Sequence, residues 1–171
     1  MRSTFIQWGL MLTVAGTASA VSATPFNSFR EYCDHRADLT PDDERTIQAV
    51  LDNLYVDFGG PQSPVPWTCA DAERRLASRT ELSLLDRSDT FFPRVEIVDS
   101  LEPLKTLAGL EKLTIGGRID QPERVYDVAV LANLVNLKSL DLRFGNMTHV
   151  ESLGYLWRLN DLRIDRKSTR L

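Results

Sequence analysis

Three stretches of the 171-residue sequence decide its fold: LEPLKTLAGLEKLTI at 101–115, VAVLANLVNLKSLDL at 128–142 and VESLGYLWRLNDLRI at 150–164. Leu104, Leu107, Leu110, Leu113 and Ile115 recur as Leu131, Leu134, Leu137, Leu140 and Leu142, and again as Leu153, Leu156, Leu159, Leu162 and Ile164. The offsets are 27 and then 22 residues. Self-similarity at such a period is the mark of an array in which each unit buries its apolar residues against its neighbours.

The step of three argues against an ordinary amphipathic helix. Leucines three apart drift by about 60° per step around an α-helix, so four in a row leave no single buried stripe. On a 3₁₀ turn, residues three apart eclipse and point the same way. The last pair of each unit, such as Leu113 and Ile115, alternates with period two and reads as a short strand. Each unit should therefore combine a strand with a tight helical return, all its leucines facing one core. Leu82 and Leu84 repeat the strand half and read as the first rung.

These stretches resemble the leucine-rich repeat family, in particular the bacterial internalin-like type with units of about 22 residues. Val98, Val125 and Met147 stand at its preceding aliphatic position, and Leu101, Val128 and Val150 three further on. The resemblance implies an α/β solenoid: about four short parallel strands with 3₁₀-like returns over 81–165, preceded by an α-helical amino-terminal cap within 24–80. It covers Cys69 to Asp165 well and the preceding helix only loosely. Two features depart from the family. The asparagine that usually follows each strand is replaced by Arg87, Arg118 and Gly145, although Asn146 adjoins the last place. The early spacings are also long, so loops around Phe91, Phe92 and Pro93, and from Gly116 to Glu123, should bulge outward.

The cap region reads as helices with a loop between. Thr40 followed by Pro41, Asp42 and Asp43 is a helix start, with a hydroxyl cap, a proline at the first position and acids at the positive helix end. Ile47, Val50, Leu51 and Leu54 then form a stripe at helical spacing. Gly59 to Pro66 (GGPQSPVP) breaks it. Thr68 with Asp71 three places on starts another helix, on which Ala72, Leu76 and Cys69 lie near one face.

The amino terminus reads as an export signal. Arg2, a mostly apolar run from Ile6 to Ala15 and the small residues TASAVSA have the three-part layout of a cleavable peptide, residues 1–23, cut after Ala20 or Ala23. The apolar run is shorter than the roughly 20 residues a membrane span needs, so no span is expected after its removal. Loss of Arg2 leaves 19 Lys plus Arg against 24 Asp plus Glu, a net of −5, which argues against nucleic acid or an anionic membrane as partner. An exported chain with only Cys33 and Cys69 should join them in one disulfide. A metal site on Cys33 and His35 is the rival, and it lacks the four ligands of structural zinc.

No convincing active site stands out. His149 occupies a place in the repeat where polar residues face solvent, no nucleophile-elbow sequence surrounds a serine, and Gly116 and Gly117 read as a sharp turn. Acids such as Asp99 and Glu102 read as solvated. The expectation is therefore a non-catalytic module without cofactors, exported to the periplasm, the medium or the cell surface, whose partner is another protein. The family resemblance assigns binding to the strand-lined concave face, here Lys112, Thr114, Ser139, Asp141, Arg143, Asp161 and Arg163. Asp141 should lie beside Arg163, and Arg143 beside Asp165, so the charges could satisfy one another across neighbouring strands. The alternative is the front end of a larger surface protein or enzyme whose functional region lies beyond residue 171. A repeat array needs a polar cap at each end, while the ending DRKSTRL is unlike the repeats and resembles translated adapter sequence. On that expectation 166–171 is a foreign or truncated tail.

Overall fold

The structure, a computed structural model, describes residues 26–56, 68–85, 98–116, 124–143 and 146–164. The expected signal segment, the loops expected at Gly59–Pro66 and around Phe91–Pro93, residues 117–123, the Arg87, Arg118 and Gly145 places, Asp165 and the expected tail lie outside them.

Among the described residues three α-helices come first along the chain, each started by a side chain. Ser28 accepts a hydrogen bond from the Glu31 N–H at 3.1 Å and opens α1 (Phe29–Asp34). Thr40 accepts one from the Asp43 N–H at 3.2 Å and opens α2 (Pro41–Val56). Thr68 and Asp71 form a reciprocal capping box at the start of α3 (Cys69–Ala77). These contacts satisfy N–H groups that helix geometry leaves without a partner. Cys33 thus sits on a short helix of its own, one that the sequence pattern had not separated from the surrounding segment. The stripe on α2 is confirmed at Ile47, Val50 and Leu54, all buried, with Leu51 half-buried.

The remainder is a mixed α/β arrangement of parallel strands. A four-stranded sheet has the order β1 (Glu81–Leu84), β2 (Lys112–Gly116), β4 (Ser139–Arg143), β6 (Asp161–Ile164). Leu82, Leu113, Leu140 and Leu162 stand in one register, as do Leu84, Ile115, Leu142 and Ile164. A smaller sheet pairs β3 (Val125–Asp127) with β5 (Asn146–Thr148). Between the sheets run 3₁₀ segments at Glu102–Thr106, Val128–Asn133 and Val150–Tyr155.

The three-residue leucine step is also a backbone hydrogen-bond step. Leu107 N–H donates to Leu104 O, and Leu110 to Leu107; Leu134 and Leu137 do the same in the next unit, and Leu156 and Leu159 in the last, all at 2.9–3.1 Å. The eclipsed side chains collect in one apolar cluster that runs from Phe29 and Ala72 in the helices to Leu153 and Leu156. Between units, Asn136 donates to the Ala108 carbonyl at 2.9 Å, and Arg158 donates to Asn136 Oδ1 at 2.8 Å. This side-chain ladder joins successive turns in a chain that lacks regular asparagines after its strands.

The sheet edges differ. At β1, the buried Asn53 of α2 donates to the Ser83 carbonyl at 2.7 Å, covering part of an edge that would otherwise present unpaired groups. At β6, the opposite edge, Leu162 is 45% exposed although its equivalent Leu140 is fully buried. Gly116 has a different role from the sharp turn its sequence suggests. It ends β2 in a buried position, where an added Cβ would lie 3.2 Å from a Leu85 methyl, so close approach accounts for the glycine.

Candidate functional site

In every strand of the larger sheet the side chains alternate. In β1, β2 and β4 leucine and isoleucine enter the core and the residues between them reach the opposite face, while at the edge strand β6 the same register leaves Leu162 exposed and Ile164 half-buried. That face brings together Glu81, Lys112, Ser139 and Asp161 in one row, and Ser83, Thr114, Asp141 and Arg163 in the next. Arg143 lies beside Gly116 in the third row. All seven residues expected from the sequence thus fall on one face.

The ion pairs run differently from expectation. Asp141 and Arg163 are register neighbours, yet Asp141 accepts from Arg143 of its own strand, from Nε at 3.1 Å and Nη2 at 2.8 Å. Arg163 pairs with Asp161, again within one strand, at 3.5 Å. Residues two apart on a strand share a face, and a long guanidinium spans that distance as readily as the distance between strands. Across strands, Ser139 donates to Asp161 at 3.2 Å and Lys112 meets Glu81 at 3.4 Å. Asp165, the expected neighbour of Arg143, lies outside the described residues.

Two exposed aromatic residues that the sequence reading missed stand at the end of the Val150–Tyr155 segment and in the turn after it. Trp157 is 72% and Tyr155 75% exposed. The Arg158 guanidinium lies 4.5 Å from the Trp157 ring centroid and is steadied by its bond to Asn136. The signal was available in the aligned units. Trp157 stands where Ala108 and Val135 stand, and both of those are exposed, so the repeat itself puts this side chain outside.

A second concavity, a cleft of about 660 Å³, lies between α2, the Asp99–Ser100 segment and β3. Its acids are engaged. Asp99, read from sequence as solvated, is instead buried and paired with Arg45, while Arg124 donates to its carbonyl at 2.7 Å. Arg124 also bonds Asp42 at 2.9 Å; that bond, foremost, holds the Asp42 carboxyl below the usual aspartate range. A general acid needs the opposite shift. Among the described residues no three His, Cys, Asp or Glu side chains group as a metal site, and the Cys33 sulfur is bonded to Cys69. No protein-family model and no curated protein matches the chain.

His149 is exposed, as expected of a turn residue, but it is not idle. It takes the left-handed conformation, φ 56°, and its Nδ1 lies 2.9 Å from Asp127 Oδ1. Asp127 caps the Val128–Asn133 segment through the Ala129 N–H at 2.9 Å, and His149 precedes the equivalent segment one unit later. The hydrogen bond to Asp127, then its charge, raises the His149 pKa; the Ala129 N–H, then His149, lowers that of Asp127. Both groups are therefore charged above the lowered Asp127 pKa and below the raised His149 pKa. The stabilisation due to His149 is fully present below its unfolded pKa and fades as pH rises through its folded one. In an NMR titration His149 should titrate above the ordinary histidine value, and Asp127→Asn should bring it back. A His149 that titrates identically in both proteins would show that the pair does not form in solution.

Proposed function

We propose that the chain is an exported, non-catalytic leucine-rich repeat module, an α/β solenoid that holds another protein against its strand-lined face. The observation that carries this reading is the fixed parallel register of four strands, which aligns one row of polar residues on a single face and buries the leucines of β1, β2 and β4 on the other. The Cys33–Cys69 disulfide marks a non-reducing environment, in keeping with export. Among the described residues no helix is long and apolar enough to cross a membrane. The face itself is polar and charged, which favours specificity over strength. Trp157 and Tyr155, exposed in the segment that precedes β6, offer a partner the aromatic anchoring that the face lacks, since tryptophan, tyrosine and arginine dominate binding energy at protein interfaces.

The test needs a partner isolated by cross-linking from the medium or envelope around the native cell. Against it, reversal of both charges in Asp141→Arg/Arg143→Asp should weaken binding at least about tenfold, and the loss should grow with falling salt. Circular dichroism should stay unchanged. Trp157→Ala should cost about tenfold or more. Unchanged binding in these variants, with loss in Asp42→Asn, would move the interface to the cleft and overturn the assignment of the face.

A further inference from the structure

The larger sheet has two unlike edges. At β1 the Ser83 carbonyl is taken up by Asn53. Beyond β6 no further strand stands among the described residues; Leu162 is 45% exposed there, and the side chains of Asp161 and Arg163 on either side of it are 48% and 72% exposed. We propose that this edge is a self-association surface, on which two copies of the chain pair their β6 strands antiparallel about a two-fold axis through Leu162.

The main chain is set for such a pairing. Each later strand of the sheet begins by donating back to the segment before the preceding strand: Lys112 N–H to the Thr80 carbonyl at 2.9 Å, Ser139 to Glu111 at 3.0 Å and Asp161 to Lys138 at 3.1 Å. Along a strand, successive residues turn their peptide groups to opposite edges. Asp161 and Arg163 therefore face β4, and the N–H and C=O of Leu162 face outward, as those of Leu140 face β6. Groups so placed are a template for another strand. In an antiparallel pair centred on Leu162, the two copies of that residue exchange both bonds, as in the hydrogen-bonded pairs of any antiparallel ladder.

The side chains select both the occupant and the register, because β6 is complementary to itself. Centring on Leu162 sets Asp161 of each copy opposite Arg163 of the other on the polar face, and brings the two Leu162 side chains together on the core face. The nearest registers that keep the core face inward set Arg163 against Arg163 or Asp161 against Asp161, and like charges directly opposite are destabilising. Within one chain the two charges meet only at 3.5 Å in an exposed pair. Such a pair is held weakly, so each guanidinium turns to the carboxylate across the axis at little cost. A two-fold pairing closes on itself and gives a dimer, not a filament. It covers Leu162 and leaves the polar faces of both copies on the same side of one continuous sheet.

The experiment is sedimentation velocity of the full chain over a range of concentrations, with hydrogen exchange read at the Leu162 amide. A dimer should form as concentration rises, and exchange at Leu162 should slow with it. Arg163→Asp sets acid against acid and Asp161→Arg sets cation against cation, so each should weaken the dimer at least about tenfold. Mixing the two variants should restore it as a heterodimer, since each supplies the charges that the other lacks. Leu162→Pro removes a donor that faces outward and none that faces β4; it should be a monomer with an unchanged circular dichroism spectrum, and it reports on the edge even if Asp161→Arg disturbs the fold. A wild-type chain that stays monomeric at its highest soluble concentration would overturn the proposal. Protection of the Leu162 amide that is the same at every concentration would also overturn it, and would assign the edge to residues that follow β6 in the same chain. A dimer that survives both charge variants and Leu162→Pro would place the interface elsewhere on the molecule.

Discussion

Leu140→Asp should unfold the protein, whereas Asp141→Ala should leave it folded with a stability change below about 1 kcal/mol. The two residues are adjacent in β4 and differ only in the face they occupy. Leu140 is fully buried between Leu113 and Leu162 of the flanking strands. Shortening a buried leucine costs about 2 to 5 kcal/mol, and an unpaired carboxylate in its place adds several more. That sum is comparable with the whole stability of a domain, about 5 to 15 kcal/mol. Asp141 points the other way and accepts from Arg143; its own side chain is 15% exposed, but Arg143 is half exposed and is returned to water when the carboxylate is removed, so no charge is left buried without a partner. Urea or thermal unfolding followed by circular dichroism measures both. Similar effects at the two positions would mean that the strand register is displaced by one residue, which turns every side chain to the wrong face.

The elements legible in the sequence are those whose signal is local and repeated. Leucines at steps of three state the 3₁₀ returns, because backbone bonds and side-chain eclipse share that period. The caps at Thr40 and Thr68 are equally local, each a hydroxyl with an acid three residues on. The face follows from the strands, since alternation needs only the register. What escaped depends on distant partners or on choices among rotamers. β3 and β5 are three residues each, too short for a period, and Tyr126 is held by donating to the Val98 carbonyl 28 residues away at 3.0 Å. Asp99 is buried because Arg45, which precedes it by 54 residues, comes to meet it. Register places Arg163 next to Asp141 but does not choose its rotamer, and the pairing within strands was therefore invisible. Trp157 is the opposite case, a residue whose exposure the aligned repeats already contained.

Replacing Cys33 and Cys69 together by alanine should lower stability by about 4 kcal/mol, the chain-entropy value for a bond that closes a sequence separation of 36 residues. The bridge joins α1 to the first residue of α3, and these short helices supply Phe29, Tyr32, Ala72 and Leu76 to the same apolar cluster that the leucines build. Helices of six and nine residues are unstable alone, so their packing on each other and on the Glu102–Thr106 segment depends on the tether. Alanine is preferred to serine because Cys33 is 5% exposed and a hydroxyl there would be buried. The measurement is the urea midpoint of the oxidised protein, of the same protein under reductant, and of the double variant. The last two should agree and fall well below the first. Three coincident midpoints would mean that the bond does not constrain the unfolded chain, and mass mapping of the exported protein that found both thiols free would remove the bond itself. With it would go the physical reason for placing the folded chain outside a reducing compartment, since a two-cysteine protein has no other feature that needs an oxidant to complete its fold.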